Sequence, residues 1–513
     1  MSTRLAAVPA REAALITATL LRDPLAVHLR LAAKYGDAVR MPISRSRSAF
    51  LFSTPDHAEH VLAVNQDNYV KDATYRPLRA LIGDGLLTSE GETWRRHRRL
   101  IQPVFSRRDV LRFGPFMIDA TQRMLKHWDE LPSGTELSVA HQMGALTLDI
   151  VGGALFGADL TGDAEQMARA MQAGQRVALL AALLPLPWGP RTTKAVKALA
   201  RRLGRSPEGV DGAANWLIAS RRQASARPDA GALGAGARPD AGAPGAGARP
   251  DAGAPGAGAP GAGARPDAGD LLDVLLGAGL TDDEIAAEVA TFMLAGHETT
   301  ANTLSWSLAL LSAFPAARAR LEEEVGSVLG GHVPVASDAA RLPWTTAVVN
   351  EALRLYPPAW TVERTALADD IVAGAPVPAG SRVTIGTYLV HHNPAYWPDP
   401  AGFDPARFLP PPPPASAPPP ASALPSASAS AFAPPPASAP ALVDRPRYAF
   451  IPFGGGRRAC VGQSFAELEA VLVLASIAQR YRLELTARGM PRPIANVTLR
   501  PGQGLPMRLI RRG

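Results

Sequence analysis

The chain has 513 residues, a formal net charge of +7, 19% charged and 6% aromatic residues, and one cysteine. That balance is globular, and the single cysteine excludes an intramolecular disulfide, so nothing argues for an oxidising compartment. The basic residues are mostly arginines in short clusters without interleaved aromatics. With no helix-turn-helix or zinc-finger spacing, they suit an acidic protein partner better than nucleic acid.

Residues 13–21 form an apolar run. It is shorter than the roughly 20 residues a bilayer span needs and lacks a convincing cleavage site after it, so a cytoplasmic protein without a membrane anchor is expected. Further on, Trp94 and Arg98 stand four apart and can offer an indole N–H and a guanidinium to a carboxylate. Residues 226–269 repeat an Ala-Arg-Pro-Asp-Ala-Gly pattern, and residues 410–440 are rich in Pro, Ala and Ser. Neither stretch supplies enough large apolar residues for a core, so both are expected to be flexible loop inserts within one domain spanning 1–513.

Thr281 and Glu284 form a capping-box start, and helix-compatible sequence runs on until Pro315, giving a helix of roughly 30 residues, about 45 Å long. Near its middle lies Ala295-Gly296-His297-Glu298-Thr299-Thr300. Glycine inside a helix costs about 1 kcal/mol relative to alanine, which calls for compensation. Small residues at 295 and 296 would let a planar ligand lie against the helix, with Thr299 pointing at it and Glu298 as a proton carrier. Equally open on these residues alone is a solvated Glu298 beside a Thr299 bonded back to a carbonyl. A second helix is predicted over 344–356, with Glu351 and Arg354 one turn apart, a pairing usually worth little on a surface. Arg407 follows amid aromatic and proline residues. Strand-like pieces are predicted at 382–385 and 448–451.

The strongest signal is Phe453-Gly454-Gly455-Gly456-Arg457-Arg458-Ala459-Cys460-Val461-Gly462. Three glycines would allow close approach to a flat, bulky ligand. Cys460 precedes a helical segment at 464–475, whose free amides favour an anion, and Arg458 adds positive charge, so a thiolate suited to iron is expected. A buried inert cysteine fits these surroundings poorly, and a nucleophilic one lacks a nearby histidine base.

Taken in order, these motifs resemble the cytochrome P-450 family of heme-thiolate monooxygenases, from about residue 23 to 509 outside the two inserts. The loop matches the family's heme-binding signature at Phe453, Gly456, Arg458, Cys460 and Gly462. Residues 295–300 match its oxygen-binding groove, Ala295 and Gly296 lying along the cofactor and Glu298 and Thr299 forming the acid–alcohol pair. Glu351, Arg354 and Arg407 match its structural triad. Trp94, Arg98 and Arg364 match positions that hold heme propionates. The resemblance implies a mainly α fold with a small β region, a triangular helical domain with heme b (iron protoporphyrin IX, axial thiolate) between the long central helix and the cysteine loop. It implies insertion of one atom of dioxygen into a lipophilic fatty acyl, terpenoid or polyketide-like substrate, by hydroxylation or epoxidation. Only residues 461–513 follow the cysteine, so electrons are expected from a separate ferredoxin or flavodoxin with its reductase, reaching a monomer. Alternatives are a peroxygenase, isomerase or dehydratase of the same fold, or a non-catalytic heme sensor.

Overall fold

The computed structural model describes residues 5–20, 22–42, 48–158, 189–204, 209–225, 269–410, 445–487 and 489–512, with isolated positions between 171 and 181. Apart from Gly269 and Pro410, the two inserts expected at 226–269 and 410–440 lie outside the described residues.

The described helices are α1 (Ala10–Leu20), α2 (Pro24–Tyr35), α3 (Pro55–Glu59), α4 (Arg76–Ile82), α5 (Gly91–Ile101), α6 (Gly114–Asp129), α7 (Val139–Phe156) and α8 (Pro190–Gly204). They continue with α9 (Gly209–Ser225), α10 (Leu271–Gly277), α11 (Asp282–Ala313), α12 (Pro315–Leu329), α13 (Pro343–Leu355), α14 (Thr387–His391) and α15 (Gln463–Arg480). The long helix α11 starts as its capping box predicts. Thr281 Oγ1 accepts from the Glu284 N–H, and the Thr281 N–H donates to Glu284 Oε2 at 2.9 Å. It packs against α7, α13 and α15 in a core that holds Trp128, Phe156 and Met143 fully buried. Among the described residues, α7 is long and apolar enough to cross a membrane, but it is mostly buried, largely against α11.

Strands β1 (Ala6–Ala7), β2 (Ala38–Pro42), β3 (Ser48–Phe52) and β4 (Tyr69–Lys71) precede β5 (Glu136–Ser138) and β6 (Val362–Ala366). Then come β7 (Asp370–Val372), β8 (Ala375–Val377), β9 (Arg382–Ile385), β10 (Tyr481–Leu485), β11 (Pro493–Ala495), β12 (Leu499–Pro501) and β13 (Pro506–Arg511). The main sheet has the order β1-β2-β3-β9-β6-β4, with β6 antiparallel to both neighbours. Its register sets Lys71 opposite Arg364 and Glu363 opposite Thr384. The strand expected at 448–451 is instead a 3-10 turn, Arg447–Ala449. The Ile451 N–H is taken by His391 Nε2 at 2.8 Å, so it is not available to a strand neighbour.

Glu351 and Arg354 are not the surface pair that their spacing alone suggests. Both are fully buried, and Arg354 grips Glu351 with two bonds of 2.7 Å. Arg354 also donates to the carbonyls of His391, Pro400 and Gly402, while Arg407 Nε stands 3.4 Å from Glu351 Oε1. Burial raises the Glu351 carboxyl above the usual range, opposed by the Arg354 bonds. The cluster ties α13 to the chain at 391–407, just before the insert that leads to the cysteine loop.

Candidate active site

From Ala287 to Leu311 every residue of α11 is buried except Ala295, Gly296, Glu298 and Thr299. A core helix thus opens at one place only within that stretch, and Ala295 and Thr299, one turn apart, line a cavity of about 910 Å³. Thr299 Oγ1 donates to the Ala295 carbonyl at 2.7 Å, so the back-bonded arrangement is the one present. Glu298 Oε1 accepts from Thr498 Oγ1 at 2.7 Å, and Asn302 donates to the same hydroxyl, which aims the carboxylate at the loop between β11 and β12. Gly296 has a reason of its own: a Cβ there would stand 2.9 Å from Val151 on α7, so close helix packing requires the glycine. Thr147 of α7 donates to the His297 carbonyl at 2.9 Å, fixing the same contact.

The cysteine loop is closed by the Cys460 N–H donating to the Phe453 carbonyl at 2.9 Å. Two of its glycines are required by protein contacts. Gly456 has φ +64°, and a Cβ there would fall on the Leu62 carbonyl oxygen; one on Gly455 would strike the Tyr448 ring. Cys460 keeps an exposed surface although protein atoms crowd its sulfur. Burial pushes the thiol up, opposed by the Gly462 N–H and by the charge of Arg98. The expectation that Arg458 supplies this charge is corrected by its position: its guanidinium pairs with Glu90 and lies 4.2 Å from the Trp94 ring centroid. Arg98 instead donates to the Ala459 carbonyl at 2.8 Å, because α5 runs alongside the loop.

One cation beside Trp94 and Arg458 is missing from the sequence-level reading: Lys71. Its Nζ donates to the carbonyls of Leu86 and Ser89, and it lies opposite Arg364 across the β4–β6 pair. Burial, then the charges of Arg458 and Arg364, push its ammonium down to about 7. Burial likewise takes Arg458 down to about 10. Like charges opposite one another on a sheet are destabilising. Arg458 pairs with Glu90 beside the indole of Trp94, Lys71 reaches the same carboxylate through its backbone N–H, and the charges of Arg458 and Arg364 both act on Lys71, so cations from distant segments lie close together here. No local spacing signals such a cluster. The Trp94 Nε1 has no hydrogen-bond partner among the described residues.

The cavity is lined by Tyr75 and Leu87, Ala178, Leu294 and Ala295, Ala359 and Trp360, and Val497.

Comparison with known proteins agrees with this geometry. The profile of the family described as Cytochrome P450 matches residues 15–505. Cytochrome P450 132 of Mycobacterium bovis is 34% identical, covering 88% of this chain and 86% of the relative. Two Streptomyces melanosporofaciens proteins, cyclooctatin synthase and cyclooctat-9-en-7-ol 5-monooxygenase, are 30% and 29% identical, each over 94% of this chain and 88% of its own length. The chain belongs to the cytochrome P450 family and is an oxidoreductase of that family. The family implies a heme-thiolate cofactor, and the residues present fit one. A soft sulfur donor keeps an exposed surface, α11 opens at small side chains, and the neighbouring cations Lys71, Arg364 and Arg458 would accept carboxylates.

Proposed function

We propose that this protein is a monooxygenase that hydroxylates or epoxidises a lipophilic substrate with one atom of dioxygen, and that its Cys460 thiolate would hold the iron of heme b. The observation that carries the reading is Cys460 itself, which keeps an exposed surface, with the Gly462 N–H and Arg98 placed to stabilise negative charge on its sulfur. Lys71, Arg364, Arg458 and the Trp94 indole would hold the propionates, and Ala295 would lie along the ring. When bound, heme supplies the activation of dioxygen, which an electron-donating thiolate favours.

The chain's own residues do the rest. Thr299 holds its hydroxyl proton toward the Ala295 carbonyl and can turn it into the cleft. Glu298, kept in place by Thr498 and through it Asn302, is the acid that replenishes that proton. The largely apolar cavity orients the substrate and excludes water. The relative named a 5-monooxygenase supports this chemistry over isomerisation or dehydration. Electrons would come from a ferredoxin or flavodoxin docking near α5, where Arg95, Arg96 and Arg99 are exposed. The fold acts as one catalytic domain and a monomer, and a lone cysteine suits the reducing cytoplasm.

The test is the red-shifted carbon monoxide band of the ferrous protein. It is expected in the wild type and absent in Cys460→Ser at matched heme content; a band that survives in the variant removes the thiolate assignment.

A further inference from the structure

One wall of the cavity differs from the rest. Leu78, Leu87, Leu294 and Ala295 make apolar sides, whereas the face of the main sheet presents Thr361 and Glu363 from β6 with its approach, and Arg382 and Thr384 from β9. Alternate residues of a strand share a face, and Glu363 and Thr384 are directly opposed, so these side chains form one patch. Thr74, also on the wall, donates its hydroxyl to Glu363 Oε2. No hydrogen bond reaches Glu363 Oε1 among the described residues, and that oxygen is left to the cavity. Behind it, Asp72 is fully engaged: it pairs with Arg382 at 3.0 Å and accepts from the Thr365 hydroxyl and the Thr74 N–H.

We propose that Glu363 is a specificity-determining residue that takes a neutral hydroxyl group of the substrate, so that the enzyme oxidises a lipophilic alcohol in preference to a hydrocarbon, an acid or an amine. This rests on the monooxygenase reading of the same cavity. The charges around Glu363 decide the class. A substrate carboxylate would meet the Glu363 carboxyl on the wall, backed by the charge of Asp72, and a substrate cation would meet the Arg382 guanidinium on the same wall. Burial, with Asp72 adding to it, raises the Glu363 carboxyl, which further disfavours a bare anion seeking a counter-ion there. A hydroxyl is both donor and acceptor, so it satisfies Oε1 whether the carboxyl is protonated or ionised. A hydrocarbon would cover Oε1 and leave it unpaired, and sites built around a hydrogen bond discriminate strongly against such analogues. The substrate therefore comes from a preceding reaction that leaves a hydroxyl group, such as a hydroxylation or the capture of water by a carbocation.

The experiment compares cyclododecanol, cyclododecane, cyclododecanecarboxylate and cyclododecyl-trimethylammonium, the last unable to ligate iron. Dissociation constants are measured on the heme-loaded protein by Soret titration and independently by equilibrium dialysis. The wild type is expected to bind the alcohol about tenfold or more tighter than the hydrocarbon. Glu363→Leu should bring the two within about twofold, while Glu363→Gln, which keeps a hydrogen-bonding group and the shape, should retain most of the preference. Equal wild-type affinities, tightest binding of the carboxylate or ammonium, or an unchanged preference in Glu363→Leu would each overturn the proposal. The carbon monoxide band, recorded on the same preparations, separates this outcome from a failure of the heme assignment. Should the leucine variant not load heme, Glu363→Ala takes its place, and an alcohol preference there as large as in the wild type overturns the proposal equally.

Discussion

Replacing Arg354 by methionine removes a fully buried guanidinium while keeping most of its volume. The variant loses two 2.7 Å bonds to Glu351 and three to the carbonyls of His391, Pro400 and Gly402. Glu351 is left in the interior with the Asp404 N–H and with Arg407, 3.4 Å away, as partial compensation. Breaking one side of a buried ion pair costs about 3–5 kcal/mol, and Arg407 places the expected loss near the lower end, about 3 kcal/mol. For a chain of 513 residues the unfolding entropy is on the order of 1 kcal/mol per degree, so Tm should fall by roughly 3 °C. The loss should also depend on pH. Burial already raises Glu351, and without Arg354 its folded pKa rises further above the unfolded value. A carboxyl raised on folding stabilises below the unfolded pKa, near 4.5, and that stability is lost as pH rises through the folded value. The variant should therefore be closer to wild type at pH 5 than at pH 8. Urea unfolding at both values is the assay. A loss under about 1 kcal/mol at pH 8, or one that does not grow from pH 5, refutes the reasoning.

Thr299→Ala is expected to keep heme and substrate binding while diverting reducing equivalents to hydrogen peroxide; unchanged coupling of electrons to product takes Thr299 out of the proton path. His97 and Glu288 form a fully buried 2.6 Å pair that, against burial, raises the imidazole pKa, with Glu284 and Arg96 as the neighbouring charges. A histidine raised on folding stabilises most below pH 6.5, and the benefit disappears as pH climbs through the folded pKa. The stability difference from the double variant His97→Phe, Glu288→Leu should thus shrink from pH 6 upward in urea titrations, and a flat difference contradicts the pairing. First-electron transfer from an acidic ferredoxin should slow with ionic strength and in Arg99→Glu. The effect should be smaller in Arg96→Glu, since Arg96 is already paired with Glu284 and Arg99 shares Glu92 with Arg95. A rate indifferent to salt and to both reversals excludes α5 as the docking face.

Local chemistry made much of this protein legible before folding was considered. The Thr281–Glu284 cap and Pro315 delimit α11, because a capping box and a missing N–H act on the residues that carry them. The alternation at Arg382–Ile385 is a strand as read. The order of the motifs, from Trp94 to Cys460, was enough to reach the family that comparison also returns.

What depends on proximity across the chain was not legible. Glu351 and Arg354 have the spacing of a surface pair, and only the packing of the segment 391–407 over α13 makes them a buried one. The glycines before Cys460 answer to Leu62 and Tyr448, contacts that no local pattern encodes. Arg458 is two residues from Cys460 in sequence, yet it is Arg98, 362 positions away along the chain, whose charge acts on the sulfur. Electrostatic interaction falls with distance in space and with the solvent between charges, not with separation along the chain. So the sequence alone determined the glycine–arginine–cysteine loop and the extent of the long helix α11. The tertiary structure decided which cations gather at Lys71 and which carboxyl, Glu363, is left turned toward the cavity.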